Sequence, residues 1–266
     1  MGVRALYTAA TGMDAQIRQI DVIANNMANI NTHGFRRDRT NFADLFYESE
    51  TMVGSSGPGD TVRPSGIEIG NGVRLVSTQK VFMSGGMDKT GGELDMAILG
   101  DDNAFFRIVR PNGQVAFTRN GNFTRDPNGN LVTQEGDSLQ PAIVIPPEAK
   151  KVTIAPNGQV TTFDDTAGNT GTNQGQITIT RFMNAAGLRP IGDNLFEETP
   201  ASGAPIDVIP DEMGAGRLLQ FHLEHSNVQA VQELISLIQA QRSYEINANV
   251  VRTSDQALQL ANNLRA

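Results

Sequence analysis

The chain contains no cysteine and no tryptophan. Without a thiol there is no disulfide framework, no thiolate nucleophile and no cysteine-built metal site, and the redox compartment leaves no mark. No apolar run approaches the ~18 residues a membrane helix needs. The N-terminus has no signal peptide pattern, since Arg4 is the sole early base and Thr8, Thr11, Asp14 and Gln16 interrupt any apolar stretch. Met1-Gly2 fails the myristoylation pattern because Leu6 stands where Ser or Thr is required. A soluble chain without membrane insertion is expected. Basic residues are scarce as well: 21 Lys and Arg against 29 Asp and Glu give a net charge of −8, with a pI of about 4.9. Phosphate contacts need a basic face, so nucleic acid is excluded as a partner. Arg36, Arg37 and Arg39 form only a local cluster.

Reactive constellations are missing too. No Gly-rich loop carries the Lys and Ser or Thr of a phosphate cradle, and no Ser occupies a nucleophile elbow. His222-Leu223-Glu224-His225 falls on an expected strand, where residues three apart face opposite sides, and a third ligand is missing. Asp101-Asp102 and Asp164-Asp165 are adjacent in loops, an arrangement that solvates a turn rather than positioning an acid and a base. No catalytic residue, cofactor or metal is expected.

What is present begins with heptads. Leu6, Ala10, Met13, Ile17, Ile20, Ala24 and Met27 alternate in steps of four and three, the spacing that keeps one stripe facing a partner helix. The Asn-rich run Asn25-Asn26-Met27-Ala28-Asn29-Ile30-Asn31-Thr32-His33-Gly34-Phe35 ends the helix, because Asn tolerates a left-handed cap and Gly34 supplies positive φ. A helix of roughly 25 residues, ~38 Å long at ~1.5 Å per residue, is expected. At the other end Leu237, Tyr244, Val251 and Leu258 recur every seven residues, and Val228, Val231, Ile235 and Ile238 make a second stripe. Ser226-Asn227 signals a helix start, giving a second helix over about 228–264. Two stripes require more than one neighbour. Periodicity alone fits an ordinary antiparallel pair as well as a self-assembly surface.

The middle reads as β structure. With 27 Gly, 12 Pro and 6% aromatic residues, it suits short strands joined by tight turns. Residues 41–47 are expected to form one or two helical turns, 51–64 an extended or flexible excursion rich in Gly and Ser, and 67–81 a β-ribbon about Gly70-Asn71-Gly72. Strands are expected at 96–99, 105–110, 114–119, 131–133, 143–145, 151–155, 159–163 and 176–182, with 164–174 a polar loop tip. Pro111-Asn112-Gly113, Pro127-Asn128-Gly129 and Pro156-Asn157-Gly158 each predict a type I turn with a bulge, closing a hairpin.

These residues resemble a known family, the bacterial flagellar axial proteins of the rod and hook, over almost the whole chain. Asn25, Asn26, Ala28 and Asn29, followed by Gly34 and Phe35, are similar to its N-terminal signature. Ser226, Asn227 and Val228, then Gln241, Arg242, Tyr244 and Glu245, are similar to its C-terminal signature. In the middle, Pro64-Ser65-Gly66, Phe182-Met183-Asn184 and Ser202-Gly203-Ala204-Pro205 look most like the distal-rod branch, while Ala104 stands where the family often has Gly. The resemblance implies an α+β fold in three parts. The terminal helices, 1–35 and 226–266, form a coiled coil for assembly; 36–93 and 183–225 form an extended β connecting domain; 94–182 forms a β-rich outer domain. It implies a structural subunit that self-assembles as a helical homopolymer, the distal rod, transmitting torque from motor to hook. Implied partners are proximal rod and hook proteins, the bushing rings and the flagellar type III export apparatus. The implied location is the periplasm-spanning rod of the basal body, reached without a cleaved signal. The alternatives are another axial protein or, from a different class, a β-rich carbohydrate-active enzyme, which hydrolase assays of aspartate variants would reveal.

Overall fold

The computed structural model describes residues 2–51, 65–164, 171–212 and 214–263. Two compact units emerge: Met1–Met27, Asp38–Gln79 and Gln229–Ala266 make the first, Ala28–Arg37 and Lys80–Val228 the second.

The first unit pairs two long helices with a β-ribbon. Helix α1 (Gly2–Ala28) has no proline and a single interior glycine, Gly12. Helix α2 (Ala230–Asn263) follows the Ser226-Asn227 start, within two residues of the expected boundary. Asn26 Nδ2 of α1 donates to Glu233 Oε2 of α2 at 3.5 Å. Fourteen residues back along α1, a side chain at Gly12 would meet Asn247, fourteen residues on along α2, at 2.9 Å. Equal and opposite steps mean the helices lie antiparallel in one register, and glycine permits the close approach.

Strands β1 (Asp38–Asp44), β2 (Tyr47–Thr51), β3 (Ile67–Gly70) and β4 (Val73–Lys80) follow α1. β1 pairs with β4 and β2 with β3, and Leu45 N–H donates to Gly72 O at 2.8 Å between the two stretches. The result is one long antiparallel arm. One expectation is corrected here. Residues 41–44 and 47 belong to strands rather than helical turns, because cross-strand partners such as Ser77 Oγ, 3.1 Å from Asn41 Nδ2, complete the ladder. The β-ribbon expected at 67–81 is present as β3 and β4, with Gly70-Asn71-Gly72 a break along one side of the arm. From residue 52 to 64 the predicted excursion lies outside the described residues.

The second unit is β structure: β5 (Met87–Lys89), β6 (Met96–Leu99), β7 (Ala104–Val109), β8 (Val115–Thr118), β9 (Thr124–Arg125), β10 (Leu131–Val132), β11 (Ser138–Gln140), β12 (Lys151–Ile154), β13 (Gln159–Phe163), β14 (Gly171–Gln176), β15 (Ile179–Arg181), β16 (Arg189–Gly192), β17 (Leu195–Glu197), β18 (Ile206–Val208), β19 (Arg217–Gln220) and β20 (His222–Glu224). The main sheet runs β16-β17-β8-β7-β11-β10-β9, with β15 joining β7 to β18. Beside it lie a three-stranded sheet β12-β13-β14 and the pairs β19-β6 and β20-β5. Apolar side chains alternate inward to build a core about Met96, Ile98, Phe106, Ile108, Leu139, Ile154, Val160 and Ile179. A second cluster stacks Phe105, Phe117, Phe182 and Phe196 edge to face.

The three Pro-Asn-Gly turns share one geometry. Gly113, Gly129 and Gly158 have φ of 83°, 89° and 84°, and their N–H groups donate to Arg110, Asp126 and Ala155 at 2.8–3.0 Å. Positive φ at the third position is what glycine is there to supply. They close β7-β8, β9-β10 and β12-β13, as the sequence predicts. Three other expectations change. Ile143 and Ile145 are buried and Val144 is exposed, but the stretch makes only an isolated bridge, Asn130 to Val144. The expected strand at 176–182 splits, and residues 171–174, expected as loop, belong to β14, which pairs with β13 as an edge strand. Polar sequence suffices where only one neighbour must be matched. Residues 165–170 lie outside the described residues.

Candidate assembly site

The predicted helix stripes divide into a covered and an uncovered part. In α1 the buried side chains are Ala9, Ala15, Ile23 and Asn26, which leaves the predicted stripe off the seam. Ala10, Ile17 and Ala24 are exposed, and Leu6, Met13, Ile20 and Met27 are half-buried. In α2, Glu233 and Ala240 are buried, Leu237 and Val251 half-buried, and Tyr244 and Leu258 exposed. The second stripe is open except at Val228, which is buried: Val231 is 71% exposed, Ile235 45% and Ile238 48%. Apart from Ile23, the buried apolar residues of the two helices are alanines, and most of the larger apolar residues are half-buried or exposed. A groove of about 630 Å³ remains where Ala5, Thr8 and Ala9 face Ile69 and Val250. Within one chain the pairing of α1 and α2 is incomplete.

The motif residues have identifiable work. Asn26 Nδ2 donates to Asp38 O at 2.9 Å, and Asp38 N–H donates back to Asn26 Oδ1 at 2.8 Å, so one buried amide ties the end of α1 to the start of β1. Gly34, at φ +73°, donates its N–H to Glu224 O at 2.8 Å. A Cβ there would sit 2.7 Å from Asn120 N, so only glycine fits. Phe35 is buried beneath Lys80, whose Nζ lies 4.9 Å from the ring centroid. Asn227 accepts from Arg37 N–H at 2.8 Å and donates to Val81 O and Met83 O at 2.8 and 3.0 Å. Ser226 Oγ accepts from Val228 N–H at 3.3 Å, and both residues are buried. Asn25, Ala28, Gln241, Arg242 and Glu245 are exposed, and Asn29 is half-buried.

Sequence reasoning missed a buried ionic group in the second unit. The side chains of Arg36, Arg119 and Glu224 are 0%, 0% and 1% exposed. Arg36 Nη2 donates to Glu224 Oε1 at 2.6 Å, and Arg119 Nε donates to Glu224 Oε2 at 2.9 Å. Arg119 Nη1 also donates to Asp101 O and Ala104 O, at 2.7 and 2.6 Å. Burial pushes the Arg36 guanidinium below its usual range, helped by Arg119 and opposed by Glu224. The three residues lie 188 and 105 positions apart in pairs, so no spacing rule could join them. Arg36, which the sequence places only in a local cluster with Arg37 and Arg39, is buried in this ionic group.

The sequence candidates for chemistry do not converge. His222 Nδ1 lies 2.7 Å from Gln220 O, while His225 Nε2 lies 2.6 Å from Asp88 Oδ2. Asp101 is not a solvated loop residue: it is buried and pairs with Arg181 at 2.5 Å. Asp102 accepts from Ser84 Oγ at 2.5 Å. Asp165 lies outside the described residues.

With this geometry in place, comparison with known proteins is specific. Residues 6–36 match the family described as flagella basal body rod protein, 219–264 the flagellar basal body rod FlgEFG protein C-terminal region, and 97–162 the flagellar hook protein FlgE/F/G D1 domain. The flagellar basal-body rod protein FlgG of Borreliella burgdorferi is 44% identical over 99% of this chain and 99% of its own. FlgG of Agrobacterium fabrum is 45% identical over 96% of each. The chain belongs to the flagellar basal-body rod protein family. Within that family, FlgF of Caulobacter vibrioides is more distant, at 34% identity over 93% of this chain and 91% of its own. Among solved structures, the hook protein FlgE2 of Helicobacter pylori covers 71% of this chain and 43% of its own at 16% identity and a TM-score of 0.23, a likeness too slight to bear on the fold. The matched regions at 6–36 and 219–264 contain Asn26, Gly34, Glu224 and Asn227, the residues that anchor both helices' approaches.

Proposed function

We propose that the chain is the structural subunit of the distal rod of the bacterial flagellar basal body, polymerising through its two terminal helices into a hollow shaft that carries torque from motor to hook. The observation that carries this reading is the 44–45% identity to FlgG relatives over nearly the whole chain. The uncovered helix stripes support it physically. Val231, Leu234, Ile235 and Ile238 along α2 and Ile17 along α1 are each more than two-fifths exposed. Covering each one is worth on the order of 1 kcal/mol, against an association cost of roughly 4–15. One pairwise contact is therefore marginal, while a lattice that gives each subunit several neighbours is favourable. Heterologous contacts that do not close into a ring generate a filament.

In this reading 1–35 and 226–266 form a coiled-coil inner layer, 36–93 and 183–225 a connecting layer, and 94–182 an outer layer facing the bushing rings. The stripe of Leu6 to Met27 and the series Leu237, Tyr244, Val251 and Leu258 supply the subunit contacts. Proximal rod and hook proteins adjoin the two ends, and the type III export apparatus delivers the chain uncleaved to the periplasm-spanning rod. The role is mechanical rather than enzymatic. Electron microscopy of concentrated protein tests the reading: straight rods are expected, and Ile235→Asp with Ile238→Asp is expected to abolish them. Rods of normal length from that variant would overturn the assignment of the surface.

A further inference from the structure

Arg119 follows β8 directly, in the heart of the main sheet. The carbonyls it bonds at Asp101 and Ala104 are 18 and 15 residues away, so they come into place as β7 and β8 pair. The carboxylate that balances its charge is Glu224, which arrives 105 residues later. A buried guanidinium without a counter-charge is costly, so the end of β8 must stay wet until Glu224 docks. Glu224 in turn holds the segment that leaves α1. Its Oε1 takes Arg36 Nη2, and its backbone carbonyl takes Gly34 N–H. The same Oε1 accepts Gly85 N–H at 3.1 Å. One carboxylate thus joins the approach to α2, the exit from α1, the chain near Gly85 and the sheet core. Remove it, and two neighbouring guanidinium groups remain buried together.

We propose that Glu224 is a keystone that makes closing of the β-rich unit and docking of both helix-flanking segments a single cooperative event. The sheet about β7 and β8 has no dry, folded state of its own. It becomes complete only once residues near 34–36 and 224 are seated, so a chain lacking its C-terminal part keeps this unit open.

Hydrogen exchange on the full chain tests this. In Glu224→Gln the amides of β7 and β8 and the junction amides of Gly34 and Val81 are expected to exchange faster by one common factor, at least about 100-fold, the scale on which breaking a buried pair acts. Acceleration confined to Gly34 and Val81, with β7 and β8 at the native rate, overturns the proposal. Should Glu224→Gln fail to fold, the neutral variant Arg36→Met with Arg119→Met and Glu224→Met decides. Replacing a buried ionic triad by apolar groups is tolerated, so this variant is expected to melt within roughly 5 °C of the native chain. Its β7 and β8 amides are then expected to become slower than those of Gly34 and Val81, the two groups having separated. If they still exchange at one rate, the coupling does not come from Glu224.

Discussion

The helical unit and the β-rich unit use their apolar residues in opposite ways. In the β-rich unit, phenylalanines, isoleucines and leucines from β6 to β19 are buried within the chain. Among the described residues of the helical unit the buried apolar side chains are Ala9, Ala15, Ile23 and Ala240, while Val231, Leu234, Ile235, Ile238 and Ile246 remain exposed. One unit buries its large apolar residues within the chain; the other leaves most of them open, the surface that the proposed assembly would cover. Long helices with a thin seam are marginal alone, because ordering each residue costs roughly 1–2 kcal/mol and little burial offsets it.

The largest effect that would test this contrast is in exchange rates. On dilute monomer, amides of β7 and β8 are expected to be protected by at least about 1,000-fold more than those in the middle of α1 and α2, since local opening scales with the burial each region has. Equal protection would show that the helices need no neighbour. Next comes core truncation. Phe106→Ala is expected to cost ~3–5 kcal/mol in urea unfolding, whereas Ile23→Ala, in the thin seam, should fall near ~2 kcal/mol or below. A reversed order would break the comparison.

Gly34→Ala sharpens it within the β-rich unit itself. Positive φ and the approach to Asn120 predict a loss of roughly 2 kcal/mol, read as a lower melting temperature of the β-rich unit. Asn26→Ala removes a buried reciprocal pair of hydrogen bonds to Asp38 and should cost about 1–2 kcal/mol, measured as loss of helical signal at lower temperature. Smallest of all is Arg4→Ala. Its pairs with Glu48 and Glu50, at 2.5 and 3.3 Å, are largely solvent-exposed, so under ~1 kcal/mol is expected, vanishing in high salt.

The legible parts of this protein are those written in local periodicity. Heptads gave both helices, and a repeated Pro-Asn-Gly triplet gave three hairpin turns whose geometry agrees to a few degrees at the glycine. Residues 41–47 were misread because Phe42, Leu45 and Phe46 have helical spacing, whereas pairing with β4 decides the outcome. Residues 171–174 were misread for the converse reason: nothing in them favours a strand until β13 lies alongside. The helix stripe was read at the right period with its neighbour left open, and within the chain most of it lies off the α1–α2 seam. Periodicity identifies an apolar face, but the closest approach goes to a small residue off that face, Gly12, which lets Asn247 in.

The sequence by itself determined the number and length of the helices, the turn chemistry, and the family signatures at both ends, since each depends on residues within a few positions of one another. Tertiary structure alone decided which helix face meets which, how the four strands of the arm pair, and that Arg36, Arg119 and Glu224 share one buried site. Those outcomes depend on packing and on charge compensation between residues far apart in the chain, and a buried charge has no signature until its counter-ion is brought to it.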